Sequence, residues 1–156
     1  MSITIEPVVE ATSEVHDLIG ELNDVLGAAY ESHQRHGLSI EQLFEPHVRF
    51  FVARLDGIAV GCGGVAMFDD YAEVKRMYTR PAVRGRGVAK ALLYRIDHEA
   101  RGAGKSALRL ETGIHQQEAM GLYQRTGFRP RGPFGQYAAM LAHNIETSLF
   151  FEKELA

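Results

Sequence analysis

The chain has 156 residues, 46% of them hydrophobic and 24% charged, with a formal net charge of −3. That is enough chain for one domain with its own core, expected to span residues 1–156, and the acidic balance excludes a global attraction to nucleic acid. No apolar run reaches the ~18 residues that cross a bilayer, residues 1–6 read as neither a basic nor an apolar leader, and the lone Cys62 excludes an internal disulfide or a thiolate metal site; the expected setting is the cytoplasm, with no membrane partner.

Ile3 to Glu6 alternates as a short strand, and Pro7 is expected to stop it. From about Ala11 to Tyr30, Val15, Leu18, Ile19, Leu22, Leu26 and Ala29 recur at helical spacing, so one face of that helix should lie on a sheet. Tyr30 to Leu38 is polar and reads as a loop. Ser39-Ile40-Glu41-Gln42 has the pattern of a capping box, opening a short second helix that cannot pass far beyond Pro46. Arg49 to Leu55 and Ile58 to Phe68 read as strands joined by an Asp56-Gly57 hairpin turn. Gly61, Gly63 and Gly64 suggest a bulge or a close backbone approach on the returning strand. After Asp69-Asp70 comes a third strand, Ala72 to Thr79, closed by Arg80-Pro81.

The next stretch carries the first chemistry. Arg84-Gly85-Arg86-Gly87-Val88-Ala89 is a basic glycine-rich turn, and behind it Val88, Ala89, Leu92, Leu93, Ile96 and Ala100 share a helical face. Glycine lets the backbone approach a ligand, the first-turn N–H groups lack partners, and the helix dipole favours negative charge. A phosphate-bearing cofactor is therefore expected on this turn. A dinucleotide fingerprint fails, because Lys90 replaces the third glycine and Pro81 separates turn from strand. A triphosphate-binding loop fails for want of Gly-Lys-Ser/Thr. The helix should end near Gly102 and Gly104, before a strand from Ser106 to Thr112 that lies parallel to the third strand. A helix from about His115 to Thr126 follows, with Ala119, Leu122 and Tyr123 facing inward. Phe128 to Phe134 reads as a strand broken by prolines, then a long loop, then a final strand from Thr147 to Glu154.

The order β-α-α-β-β-β-α-β-α-β-β describes an α/β (α+β) fold with a mixed, mostly antiparallel sheet and helices on both faces. The turn at Arg84 to Ala89 resembles the cofactor loop of the GNAT superfamily of acyl-CoA-dependent N-acetyltransferases, Arg/Gln-x-x-Gly-x-Gly/Ala, at every fixed position. Gln116 to Phe128 is similar to the family's Asn-x-x-Ala-x-x-Leu-Tyr-x-x-x-Gly-Phe signature, departing only at Gln116. The likeness is close from Ala72 to Phe128 and rests on element order elsewhere.

That resemblance implies acetyl-CoA as co-substrate, no metal, and a small-molecule or peptide amine as acceptor; dimerisation is common in the family. It implies that the amides of Gly85, Arg86, Gly87, Val88 and Ala89 seat the pyrophosphate, with Arg84 and Arg86 adding charge, and it places Gln116 beside the cofactor. Backbone amides near Met77 and Tyr78 would meet the thioester and Thr79 the pantetheine. Tyr123 matches the family tyrosine that serves as acid to the leaving thiolate. The base is Glu73 or Glu111, either of which could instead pair with Lys75 or Arg76. His33, with His36 in the same loop, and Tyr137 are candidates for the acceptor pocket. The histidine spacing makes no metal motif. Two rival readings remain: an acyl-CoA-binding module without turnover, and a nucleic-acid binder using Arg80, Arg84 and Arg86, which lacks aromatic platforms.

Overall fold

The computed structural model describes residues 2–156. Strands β1 (Ile3–Val8), β2 (Val48–Leu55), β3 (Ile58–Met67), β4 (Tyr71–Thr79), β5 (Ala107–Gly113), β6 (Arg129–Arg131) and β7 (Ser148–Glu154) form one sheet in the order β1-β2-β3-β4-β5-β7-β6. Every neighbouring pair is antiparallel except β4 and β5. The final strand is thus inserted between β5 and β6. The mixed, mostly antiparallel architecture expected from the sequence holds.

The period of two in β2 separates the core into two layers. Phe50 and Val52 face helix α1 (Ser13–Ala29), joining Val15, Leu18, Ile19 and Leu22 in one apolar cluster. Phe51 and Ala53 face the opposite way, joining Leu92, Leu93 and Ile96 of helix α2 (Val88–Gly102). Each fully buried Leu or Ile contributes roughly 1.5–3 kcal/mol, so both helices are held chiefly by these faces. Thr12 caps α1, its hydroxyl accepting from the Val15 N–H at 3.3 Å. Helix α3 (Gln117–Arg125) adds Tyr123 to the cluster on the α2 side of the sheet.

Three local expectations needed correction. β1 does not stop at Pro7 but runs on to Val8, because an edge strand tolerates a residue without an N–H. The capping box forms, with the Ser39 N–H donating to Gln42 Oε1 (2.8 Å) and the Gln42 N–H to Ser39 Oγ (3.3 Å). It opens only a single 3-10 turn, Glu41–Phe44, before Pro46 ends it. The long loop after β6 contains a 3-10 turn (Gly135–Ala139) and a short helix α4 (Ala142–Ile145).

The bulge foreseen from the β3 glycines is real, but its extra residue lies on β4. Cys62 pairs with Tyr78 and Gly64 with Lys75, leaving Arg76 and Met77 opposite Gly63 alone. Arg76 takes φ 53, the left-handed region. The insertion flips the alternation. Ala72, Val74 and Met77 face the α2 layer, whereas Tyr78 packs in the α1 layer. β4 and β5 pair only where Tyr71 to Glu73 meet Ala107 to Arg109. Beyond that the two strands part.

Candidate active site

The parted strands form the walls of an open cleft. β4 contributes Glu73, Lys75 and Met77; β5 contributes Glu111; α3 contributes Tyr123; and the turn after β6 contributes Tyr137. The end of α1 and the Gln34 to Gly37 segment close its outer side.

Glu73, Lys75 and Tyr137 are all buried and form a closed triangle in the wall. The Tyr137 hydroxyl donates to Glu73 Oε2 at 2.6 Å and accepts from Lys75 Nζ at 2.9 Å, while Lys75 Nζ reaches Glu73 Oε2 at 2.8 Å. Burial, and then the neighbouring Glu73 charge, push the Tyr137 phenol far above its ordinary range. One carboxylate oxygen of Glu73 therefore serves two partners. Removing Lys75 would leave the buried Glu73 charge uncompensated, and removing Tyr137 would cost both charged groups a hydrogen bond, so the triangle fixes the wall.

Glu111 is differently placed. No cation lies within ion-pair distance of it among the described residues, and its one side-chain partner is the Ser148 hydroxyl, which donates to Oε2 at 2.7 Å. Burial raises its carboxyl above the usual carboxylate range, against the lowering effects of Ser148, His36 and Lys75. A carboxylate so held is a stronger base at neutral pH than a solvated one.

Tyr123 packs edge-on against Phe128, with ring centroids 5.6 Å apart, and lines the cleft near Glu111. Burial first, and the Glu111 charge second, raise its phenol well beyond the ordinary tyrosine value. Its hydroxyl has no hydrogen-bond partner among the described residues and is not an occluded orphan, so it meets the cleft space.

In the turn that opens α2, Gly85 and Gly87 hold φ 81 and 85, and Gly87 caps the helix without any side-chain hydrogen bond. A Cβ built at either glycine meets nothing within 4 Å. The first-turn amides of Val88 and Ala89 are thus left for a ligand, with exposed Arg84 and Arg86 beside them. This cradle fits an anionic cofactor such as the coenzyme A pyrophosphate.

Several sequence-predicted residues lie elsewhere or are otherwise engaged. His33 is outside the cleft lining, its ring 5.4 Å from that of His143 and its Nδ1 3.5 Å from Glu31; His36, three residues on, reaches the cleft instead. The Tyr78 side chain turns away into the α1 layer, donating to Glu21 at 3.0 Å, and neither Tyr78 nor Thr79 lines the cleft. Gln116 lines the cleft, but its Oε1 accepts from the Tyr30 hydroxyl at 2.8 Å. Burial pushes the Cys62 thiol up to about 12, which removes it as a nucleophile. Sequence reasoning missed Ser148 and the full part played by Lys75. Only the fold brings Lys75 to Tyr137, and no local pattern announces such a pairing.

Comparison with known proteins decides the family. The model of the Acetyltransferase (GNAT) family matches residues 16–128. The chain belongs to the GNAT family of acetyltransferases. An IAA acetyltransferase of Azospirillum brasilense is 46% identical over 143 residues, covering 90% of each chain. The N-acetyltransferase YsnE of Bacillus subtilis is 35% identical over 77% of this chain and 78% of its own. Among solved structures, a Klebsiella pneumoniae protein assigned to the acyl-CoA N-acyltransferases superposes with TM-score 0.77 at 32% identity, covering 99% of this chain and 98% of the other. The PaiA N-acetyltransferase of Thermoplasma acidophilum, in complex with coenzyme A, shares the fold with TM-score 0.73 at 16% identity, over 99% of this chain and 100% of that one. The GNAT assignment makes this chain an acetyl-CoA-dependent acetyltransferase. No described helix is long and apolar enough to cross a membrane.

Proposed function

We propose that this single GNAT domain transfers an acetyl group from acetyl-CoA to a primary amine by direct attack within a ternary complex. The observation that carries this reading is the placement of Glu111 and Tyr123 in one cleft that opens where β4 and β5 part. The Gly85 to Ala89 turn holds the pyrophosphate, and the β4 backbone through Thr79 holds the pantetheine. An ammonium of pKa ~10 must lose its proton before attack, and Glu111 takes it. The amine nitrogen then bonds to the thioester carbonyl carbon. Backbone amides at Met77 and Tyr78 stabilise the oxyanion. As the C–S bond breaks, Tyr123 donates its proton toward the departing sulfur, and the surplus proton on the new amide nitrogen restores the phenol. Glu73, tied to Lys75 and Tyr137, holds the cleft wall and does not act as the base.

A screen of amines with acetyl-CoA, following thiol release and the mass of the product, tests the proposal. Amine-dependent release is expected. Tyr123→Phe should lower kcat by about 10²–10⁴, the range of general acid catalysis, while coenzyme A still binds. Unchanged turnover in that variant would remove Tyr123 from the mechanism. Acetyl-CoA binding without release for any amine would instead favour a binding module.

A further inference from the structure

The transfer step leaves two arginines unused. Most guanidinium groups in this chain meet carboxylates: Arg54 pairs with Glu6 and Glu14, Arg80 with Glu21, Arg101 with Asp97, Arg109 and Arg131 with Glu152. Arg35 and Arg76 do not, although the acidic side chains of the chain outnumber the basic ones, 20 to 17. Both line the active-site cleft, and both also line a second, outer cavity that adjoins it between α1 and residues 32–42.

Arg76 is set there by the fold. The β4 bulge turns it toward α1, where Nη2 donates to Asn23 Oδ1. Its guanidinium lies over Gly37, where an added Cβ would come within 2.2 Å of Nη1 and would push the guanidinium aside. Its Nε is occluded and has no partner. The nearby charges are equally telling. Burial, and then repulsion from Arg35, hold Arg76 below the usual arginine range, and no carboxylate acts on it. Of the acids nearby, Glu73 is occupied by Lys75, Glu111 sits with Ser148, and Glu41 lies exposed in the outer cavity. Among the described residues neither guanidinium meets a carboxylate, and the half-buried Arg76, with its occluded Nε, would gain from an anion held between it and the exposed Arg35.

We infer that Arg35 and Arg76 form an anion subsite that takes the carboxylate of the acceptor, which is therefore an amino acid or a similarly compact amino carboxylate. The planar fork of arginine matches a carboxylate in two hydrogen bonds. With that group anchored at the junction of the cavities, the amine reaches inward toward Glu111. An apolar body lies outward, against Ile19, Leu26, Leu38 and Ile40. The inference rests on the amine-acetylation reading, so its test has one arm that needs no turnover.

In the kinetic arm, leucine and leucinamide are compared as acceptors. The acid should exceed the amide by at least tenfold in kcat/KM, and Arg35→Ala should bring that ratio toward one, with Arg35→Lys recovering part of it. In the binding arm, calorimetry compares N-acetylleucine with N-acetylleucinamide. The acid should bind at least tenfold tighter to the wild type, and the difference should shrink in Arg35→Ala. Equal binding of acid and amide to the wild type would overturn the subsite. Tighter binding of inorganic phosphate than of N-acetylleucine would overturn its assignment to a carboxylate. Absent thiol release with a preserved acid preference in binding would sink the transfer reading alone.

Discussion

At the scale of single residues, the two groups proposed to do the proton chemistry are distinguished by their surroundings. Glu111 has lost most of its solvent without gaining a cation, so its carboxyl is raised. Tyr123 stays a neutral phenol across the working range and keeps its proton for the leaving sulfur. Two consequences of the raised Glu111 carboxyl can be measured. The acid limb of kcat/KM should fall as pH drops through its raised value, above the ordinary carboxylate range, and Glu111→Gln should lose both that limb and most of the rate. Stability should show the opposite sense. A carboxyl whose folded value exceeds its unfolded one favours the fold below the unfolded value and loses that advantage as pH rises through the folded one. Wild type should therefore weaken relative to Glu111→Gln across that window in urea titrations. An unchanged difference between pH 4 and 8 would contradict the buried, unpaired state of Glu111. That Tyr123 and Glu111 were candidates was legible in the sequence, one by motif and both by position. The difference in surroundings between Glu73 and Glu111 was not, because it depends on Tyr137, which lies 64 positions from Glu73.

At the scale of elements, the strongest local signals were those written in backbone chemistry. The Asp56-Gly57 turn has φ 51 and 86, as the two-residue hairpin requires. The start of α2 at Gly87 was readable because glycine there serves geometry as well as a ligand. Gly87→Ala should strain a left-handed position by roughly 1–2 kcal/mol. It should also weaken coenzyme A binding about tenfold in calorimetry by displacing the first-turn amides; unaltered affinity would remove the turn from the cofactor site. Segments held by tertiary contacts were less readable. The turn carrying Tyr137 looked like part of a loop because it is ordered by Phe134, Phe150 and the triangle with Glu73 and Lys75, not by its own pattern. Likewise the β3 glycines announced a bulge, yet the inserted residue is Arg76 of the partner strand, where no glycine marks it.

At the scale of the whole molecule, the site is a consequence of sheet topology. A crossover through α2 makes β4 and β5 parallel, and their pairing ends after Glu73, shortly before the bulge at Arg76. One opening thus receives both the proposed base on β5 and the proposed acid on α3. The sequence predicted the parallel pair, but not the insertion of β7 between β5 and β6, since strand order in space leaves no mark on local periodicity. Cys62, the one thiol in the chain, is buried away from this chemistry, so no covalent acetyl-thiol intermediate is called for. Direct transfer with both substrates bound is the central claim. Initial rates measured while acetyl-CoA and amine are varied together test it most directly. Intersecting double-reciprocal lines are expected; parallel lines, with an acetylated protein trapped when the amine is withheld, would contradict it.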